Sequence, residues 1–192
     1  MTTARRHVAL IRGINVGKAK RVAMSDVRAL VEELGYRDVR TLLNSGNVVF
    51  TVPASDRKGP AARIEKAITA RLGISARVTV LTAAELADVI AGDPFGKAAD
   101  NPSRLFVTVL IDPAHRKRLL PVVRQDWAPD ILSVGARVAY LWCPNGMTES
   151  RLAEAVSRLL GDGATTRNWA TMTKIHELLR DGDGEKKTRA GR

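Results

Sequence analysis

Residues 39–52 read VRTLLNSGNVVFTV. Two runs of strand-forming residues, 39–43 and 48–52, flank Asn44, Ser45, Gly46 and Asn47. Small, polar, turn-forming residues between two β-branched runs specify a tight antiparallel hairpin. Working backward, the apolar run 8–11 ends at Gly13 and reads as a buried strand. Between it and the hairpin, Val27, Leu30, Val31 and Leu34 recur at helical spacing, with Ser25 and Asp26 as expected caps and Gly35 as the stop. Working forward, Pro60 is suited to a first helical turn, Ile64, Ile68 and Leu72 mark one helical face, and Gly73 ends it. Residues 77–81 alternate as a strand. Thr82 and Glu85 then form a capping box before Leu86, Val89 and Ile90. The order is β-α-β-β-α-β followed by a helix.

The same order recurs downstream. Residues 105–111 read as a strand, and Asp112 and Pro113 open a helix of uncertain extent around Pro121. Residues 131–134 and 138–142 make a second hairpin around Gly135 and Ala136, Leu152 to Leu160 gives a helix, 164–168 a strand and 171–179 a closing helix. This internal duplication predicts an α+β protein of two ferredoxin-like βαββαβ subdomains, each followed by an extra helix. The expected boundaries are a first subdomain over 1–92, a linker over 93–103 carrying Pro94, Gly96 and Pro102, a second subdomain over 104–180, and a disordered tail over 181–192.

Composition narrows the function classes. The 192 residues are 45% hydrophobic and 27% charged, as in ordinary globular proteins. No apolar run is long enough to span a bilayer, so no membrane partner is expected. One cysteine, Cys143, excludes an internal disulfide and fits a reducing, cytoplasmic setting. Three scattered histidines do not form a metal site, and neither a metal nor a cofactor is expected. The net charge is +11, a basic protein that favours anionic partners. Splitting the chain at Gly96 gives 15 basic and 9 acidic residues before it and 16 and 11 after it, an even spread that fits compositional bias. One stretch stands out: Arg5, Arg6, Arg12, Lys18, Lys20 and Arg21 all precede the first acid, Asp26.

The topology concentrates that stretch further. In a ferredoxin-like sheet the first and third strands are antiparallel neighbours. The end of the first strand, with Arg12 and Asn15, then lies beside Ser45, Gly46 and Asn47. The first helix starts at the same rim, where its N–H groups and positive dipole end favour an anion. The expected ligand-binding residues are Arg12, Asn15, Gly17, Lys18, Lys20, Arg21, Ser45, Gly46 and Asn47. A phosphorylated small molecule is the expected partner. A second cluster, Arg167, Asn168, Trp169 and Lys174, opens the last helix and would bind another anion or dock the two halves.

Other chemistry is weaker. The loop has neither the phosphate-binding nor the dinucleotide-binding glycine spacing. RNA-recognition sheets stack bases on aromatics of the first and third strands, and here only Phe50 is available, so nucleic acid would be held through phosphates only. Ser45 lacks a nucleophile elbow and reads as a turn residue. No carboxylate pair or triad marks a reaction, and the catalytic residues, the oligomeric state and the ligand's identity stay open.

The segments Leu10-Ile11-Arg12-Gly13-Ile14-Asn15-Val16-Gly17, Ser45-Gly46-Asn47-Val48-Val49-Phe50, and Arg167-Asn168-Trp169 with Thr173-Lys174 resemble the bacterial domain of unknown function 1697 family. Tyr140-Leu141 with Pro144-Asn145-Gly146 and Ser150 is similar too. Lys18 stands where members usually carry a second glycine. The resemblance implies a two-subdomain α+β fold and carries no established activity.

Overall fold

The structure is a computed structural model, and it describes residues 5–15, 21–56 and 59–189. The first half runs β1 (Arg5–Arg12), α1 (Met24–Glu33), β2 (Arg37–Leu42), β3 (Asn47–Val52), α2 (Pro60–Leu72), β4 (Arg77–Thr82) and α3 (Ala83–Ala91). The second runs β5 (Leu105–Leu110), α4 (Arg116–Val123), β6 (Ile131–Val134), β7 (Val138–Trp142), α5 (Arg151–Leu160), β8 (Ala164–Asn168) and α6 (Trp169–Arg189). Each half builds one antiparallel four-stranded sheet, β2-β3-β1-β4 and β6-β7-β5-β8. The two orders are the same once renumbered, and each sheet is followed by one further helix. The duplicated α+β plan is therefore present at the level of topology.

Local sequence explains most element ends. Gly73 closes α2 in the left-handed conformation at φ 67°, and Pro60 opens it. Thr82 and Glu85 form the reciprocal capping box: the Thr82 N–H donates to Glu85 Oε2 at 2.8 Å, and the Glu85 N–H donates to Thr82 Oγ1 at 3.1 Å. The start of α1 corrects the expected caps. Its N-cap is Ala23, with no side-chain cap, while Ser25 and Asp26 lie inside the first turn. The β-region dihedrals needed at an N-cap are reached two residues before the first of the polar residues that favour that position.

In the first sheet, Ala9 and Ile11 of β1 and Val48, Phe50 and Val52 of β3 face Val27 and Val31 of α1 and Ile64 and Ile68 of α2. Alternate strand residues reach one face, and the two helices cover it. A polar brace closes this core. The Tyr36 hydroxyl donates to Asp56 Oδ2 at 2.7 Å, and Arg63 donates to the same oxygen at 3.1 Å while lying over the Tyr36 ring. In the second sheet Leu110, Ala139, Leu141 and Ala164 pack with Leu119 and Val122 of α4 and Leu152, Val156 and Leu160 of α5.

By contacts, the chain forms two compact units, Met1–Ala87 with Ile175–Arg192, and Asp88–Lys174. The divisions fall inside α3 and α6, and residues 93–103, expected as a linker, lie within the second unit. The expected tail begins inside α6, whose backbone continues as helix to Arg189.

Candidate functional site

The rim is built by β1 and the β2–β3 turn. Leu10 pairs with Asn47 in register. One residue further, the Ile11 N–H donates to the Gly46 carbonyl at 2.7 Å. Gly46 has φ +79°, and a Cβ there would lie 2.5 Å from Ile14 Cγ2 and 2.9 Å from the Ile11 carbonyl oxygen. Only glycine satisfies both the conformation and the space.

Asn15, at φ 54°, ties three pieces of chain together. Its Oδ1 accepts from the Val22 N–H at 2.8 Å, and its Nδ2 donates to the Val22 carbonyl and to the Asn44 carbonyl, both at 2.9 Å. Residues 15 and 22 are therefore joined to each other, and that junction is fixed to the hairpin turn. Asn47 is fully buried, and its Nδ2 donates to the Leu42 carbonyl at 2.9 Å and to Ser45 Oγ at 3.0 Å. The two asparagine amides thus hold the backbone of the rim itself.

Two of the expected cations, Arg12 and Arg21, are described. Arg12 is partly buried and lies abreast of Arg77 on β4, whose guanidinium is 3.8 Å from Glu65. Arg21 and Ser45 are exposed. Gly17, Lys18 and Lys20 lie outside the described residues. Two residues after Arg21 comes Ala23, the N-cap of α1, which makes no side-chain cap hydrogen bond. The juxtaposition of Asn15 with Gly46 is present, and so is the helix start beside them.

The second cluster is placed differently. Asn168 caps α6, its Oδ1 accepting from the Thr171 N–H at 2.9 Å. Trp169 is partly buried and Lys174 is exposed. Arg167 lies opposite Val107 on β5 and donates to the Thr166 carbonyl at 2.8 Å. Desolvation lowers its pKa to about 10. This cluster belongs to the second unit and the rim to the first.

A further arrangement escaped sequence reasoning. Ser150 caps α5 by accepting from the Ala153 N–H at 2.9 Å, donates to Asp130 Oδ2 at 2.7 Å and receives the Cys143 thiol at 3.4 Å. Burial raises the thiol's pKa, so Cys143 stays protonated and acts as a small core residue. Ser150 before an apolar helix was a readable capping signal; its partner Asp130, twenty residues upstream, was not. Among the described residues no group of three or more His, Cys, Asp or Glu is placed to hold a metal ion. No described helix is long and apolar enough to cross a membrane.

A family model described as "Protein of unknown function (DUF1697)" matches residues 4–140. Among solved structures, a conserved bacterial protein from Streptococcus pneumoniae is similar, with a TM-score of 0.73 at 20% identity, over 92% of this chain and 99% of that one. At that identity the likeness is one of fold. No curated protein matches.

Proposed function

This chain belongs to the DUF1697 family of proteins of unknown function, and we propose that the rim of its first sheet binds a phosphate-bearing small ligand. The carrying observation is the Asn15 junction. It brings the ends of the 16–21 loop, the uncapped start of α1 and the β2–β3 turn to one point. The loop contributes Lys18, Lys20 and Arg21, and β1 contributes Arg12. A phosphate there gains the N–H groups and dipole of α1 together with guanidinium and ammonium donors. Gly17 permits close approach of backbone to ligand. Asn15, Gly46 and Asn47 shape the site, and Ser45 offers a hydroxyl at its edge. The role assigned is binding. Each subdomain is read as ferredoxin-like, and a cytoplasmic setting accords with the single buried thiol.

Thermal-shift screening with nucleotides and sugar phosphates tests the proposal. A ligand present at 100 times its Kd stabilises by about 2.7 kcal/mol, which raises Tm by roughly 2–4 °C per kcal/mol in a chain of this size. The Lys18→Ala/Lys20→Ala/Arg21→Ala variant is expected to keep its own Tm and to lose the shift. The proposal fails if no phosphorylated compound shifts the wild-type protein, or if the triple variant responds as wild type does.

A further inference from the structure

From the edges of the two sheets we infer that β6 is the surface on which a second copy of this chain docks, strand against strand. An edge strand presents unpaired N–H and C=O groups, and chains that do not use an edge obstruct it. The other edges are obstructed. On β4 the Val78 N–H donates to Glu65 Oε1 and the Thr82 N–H to Glu85 Oε2, both at 2.8 Å. β2 carries Arg37, Asp38 and Arg40, and its register shifts between the two arginines, where Asp38 has φ 53°. On β8 the Arg167 guanidinium donates to the Thr166 carbonyl at 2.8 Å. β6 holds the place in its sheet that β2 holds in the first. Yet residues 131–136 carry no charge, and β6 pairs with β7 without a shift.

The edge is also self-complementary. The Gly135 N–H donates to the Val138 carbonyl at 2.8 Å. Bonded and non-bonded pairs alternate along an antiparallel ladder. Ile131 and Ser133 therefore bond to β7, while the N–H and C=O groups of Leu132 and Val134 face outward. Among the described residues nothing bonds these outward groups. Ile131 leaves a large apolar side chain 49% exposed on this edge. Gly135, on the same sheet face, leaves a notch: a Cβ there would make only ordinary contact, 3.5 Å from Val138 Cγ2 and 3.7 Å from the Tyr140 ring. Antiparallel pairing of two β6 strands about a two-fold axis at Ser133 sets the outward groups of Leu132 against those of the partner's Val134. The same register sets Ile131 opposite the partner's Gly135. The projection of each copy then enters the notch of the other, the reciprocity that a two-fold interface requires. A peptide from another protein would need a bulky residue at that one register, whereas a second copy supplies it by symmetry.

Sedimentation velocity of the full chain over about 1–100 µM tests this, and the mass is expected to rise from one chain to two. Hydrogen exchange needs no variant: the Leu132 and Val134 amides are expected to exchange more slowly at the top of that range than at the bottom. Ile131→Lys and Gly135→Glu are each expected to weaken association by at least about tenfold, the first by placing a charge on the edge and the second by filling the notch. Combined in one chain, the two substitutions set opposite charges across the ladder and are expected to restore association. Thr41→Lys adds the same charge to β2 and is expected to change nothing. Circular dichroism melts establish that each variant is folded. The inference is overturned if the wild-type chain stays single at the highest concentration, which would leave the edge to an extended segment of another protein. It is equally overturned if Ile131→Lys and Thr41→Lys weaken association alike, or if the combined variant folds and stays single.

Discussion

At the residue scale, Asn15 combines a left-handed backbone with three hydrogen bonds. Substitution separates the two roles. Asn15→Ala loses the bonds and meets the left-handed penalty, about 1–2 kcal/mol, on top of about 1 kcal/mol for each hydrogen bond removed. Asn15→Gly loses the bonds alone. The glycine variant is therefore expected to be the more stable of the two, by roughly 1 kcal/mol, in urea unfolding. Equal stabilities would show that the conformation at this position carries no cost. The turn at Gly46 was readable from the Asn-Ser-Gly-Asn run, because turn chemistry is local; its close packing against Ile11 and Ile14 was not. The bonds from Asn15 to Val22 and Asn44 were not, since nothing in the spacing of seven or twenty-nine residues encodes a side-chain partner. Sequence reasoning therefore took Asn15 as a ligand donor, while the structure shows its amide engaged with the backbone.

At the element scale, α1 is the informative helix. Its periodicity was legible because burial of Val27, Leu30 and Val31 repeats at helical spacing. Its start was not, because polar residues lie past the position where the backbone turns. Ala23 is exposed, with φ −68° and ψ 133°, dihedrals that a capping aspartate adopts without strain. Ala23→Asp is expected to stabilise the fold by about 0.5–1 kcal/mol by capping the helix. It also puts a carboxylate where a phosphate is proposed to sit. The variant should thus melt higher and lose the ligand-induced shift, an opposition that thermal-shift measurement reads directly. If it melts higher and still responds to ligand, the α1 start is not part of the site.

For the whole molecule, the chain's two tyrosines report on the two units separately. Tyr36 is buried and donates to Asp56, and both effects push its pKa well above the ordinary value. The Tyr140 hydroxyl donates to the Val89 carbonyl at 2.8 Å, and burial with the nearby Asp93 charge raises its pKa to about 12. Each folded unit holds a proton that its unfolded form releases near pH 10. Stability accordingly falls as pH rises from about 10 towards 12. Tyrosinate absorbance at 295 nm is expected to stay flat above pH 10 and then to climb together with the loss of circular dichroism. A rise near pH 10 with the fold intact would show at least one hydroxyl open to water. The duplicated plan was legible because strand order follows from matching hairpins in matching places. The unit boundaries were not, since composition marks loops whereas the divisions run through helices.

The Asn15–Val22 staple has an evolutionary corollary. By joining residue 15 to both backbone groups of residue 22, it makes the intervening six positions a detachable cassette. Their length and chemistry can be altered without moving the strand before or the helix after, so exchanging the segment would alter the proposed ligand site while leaving the scaffold in place.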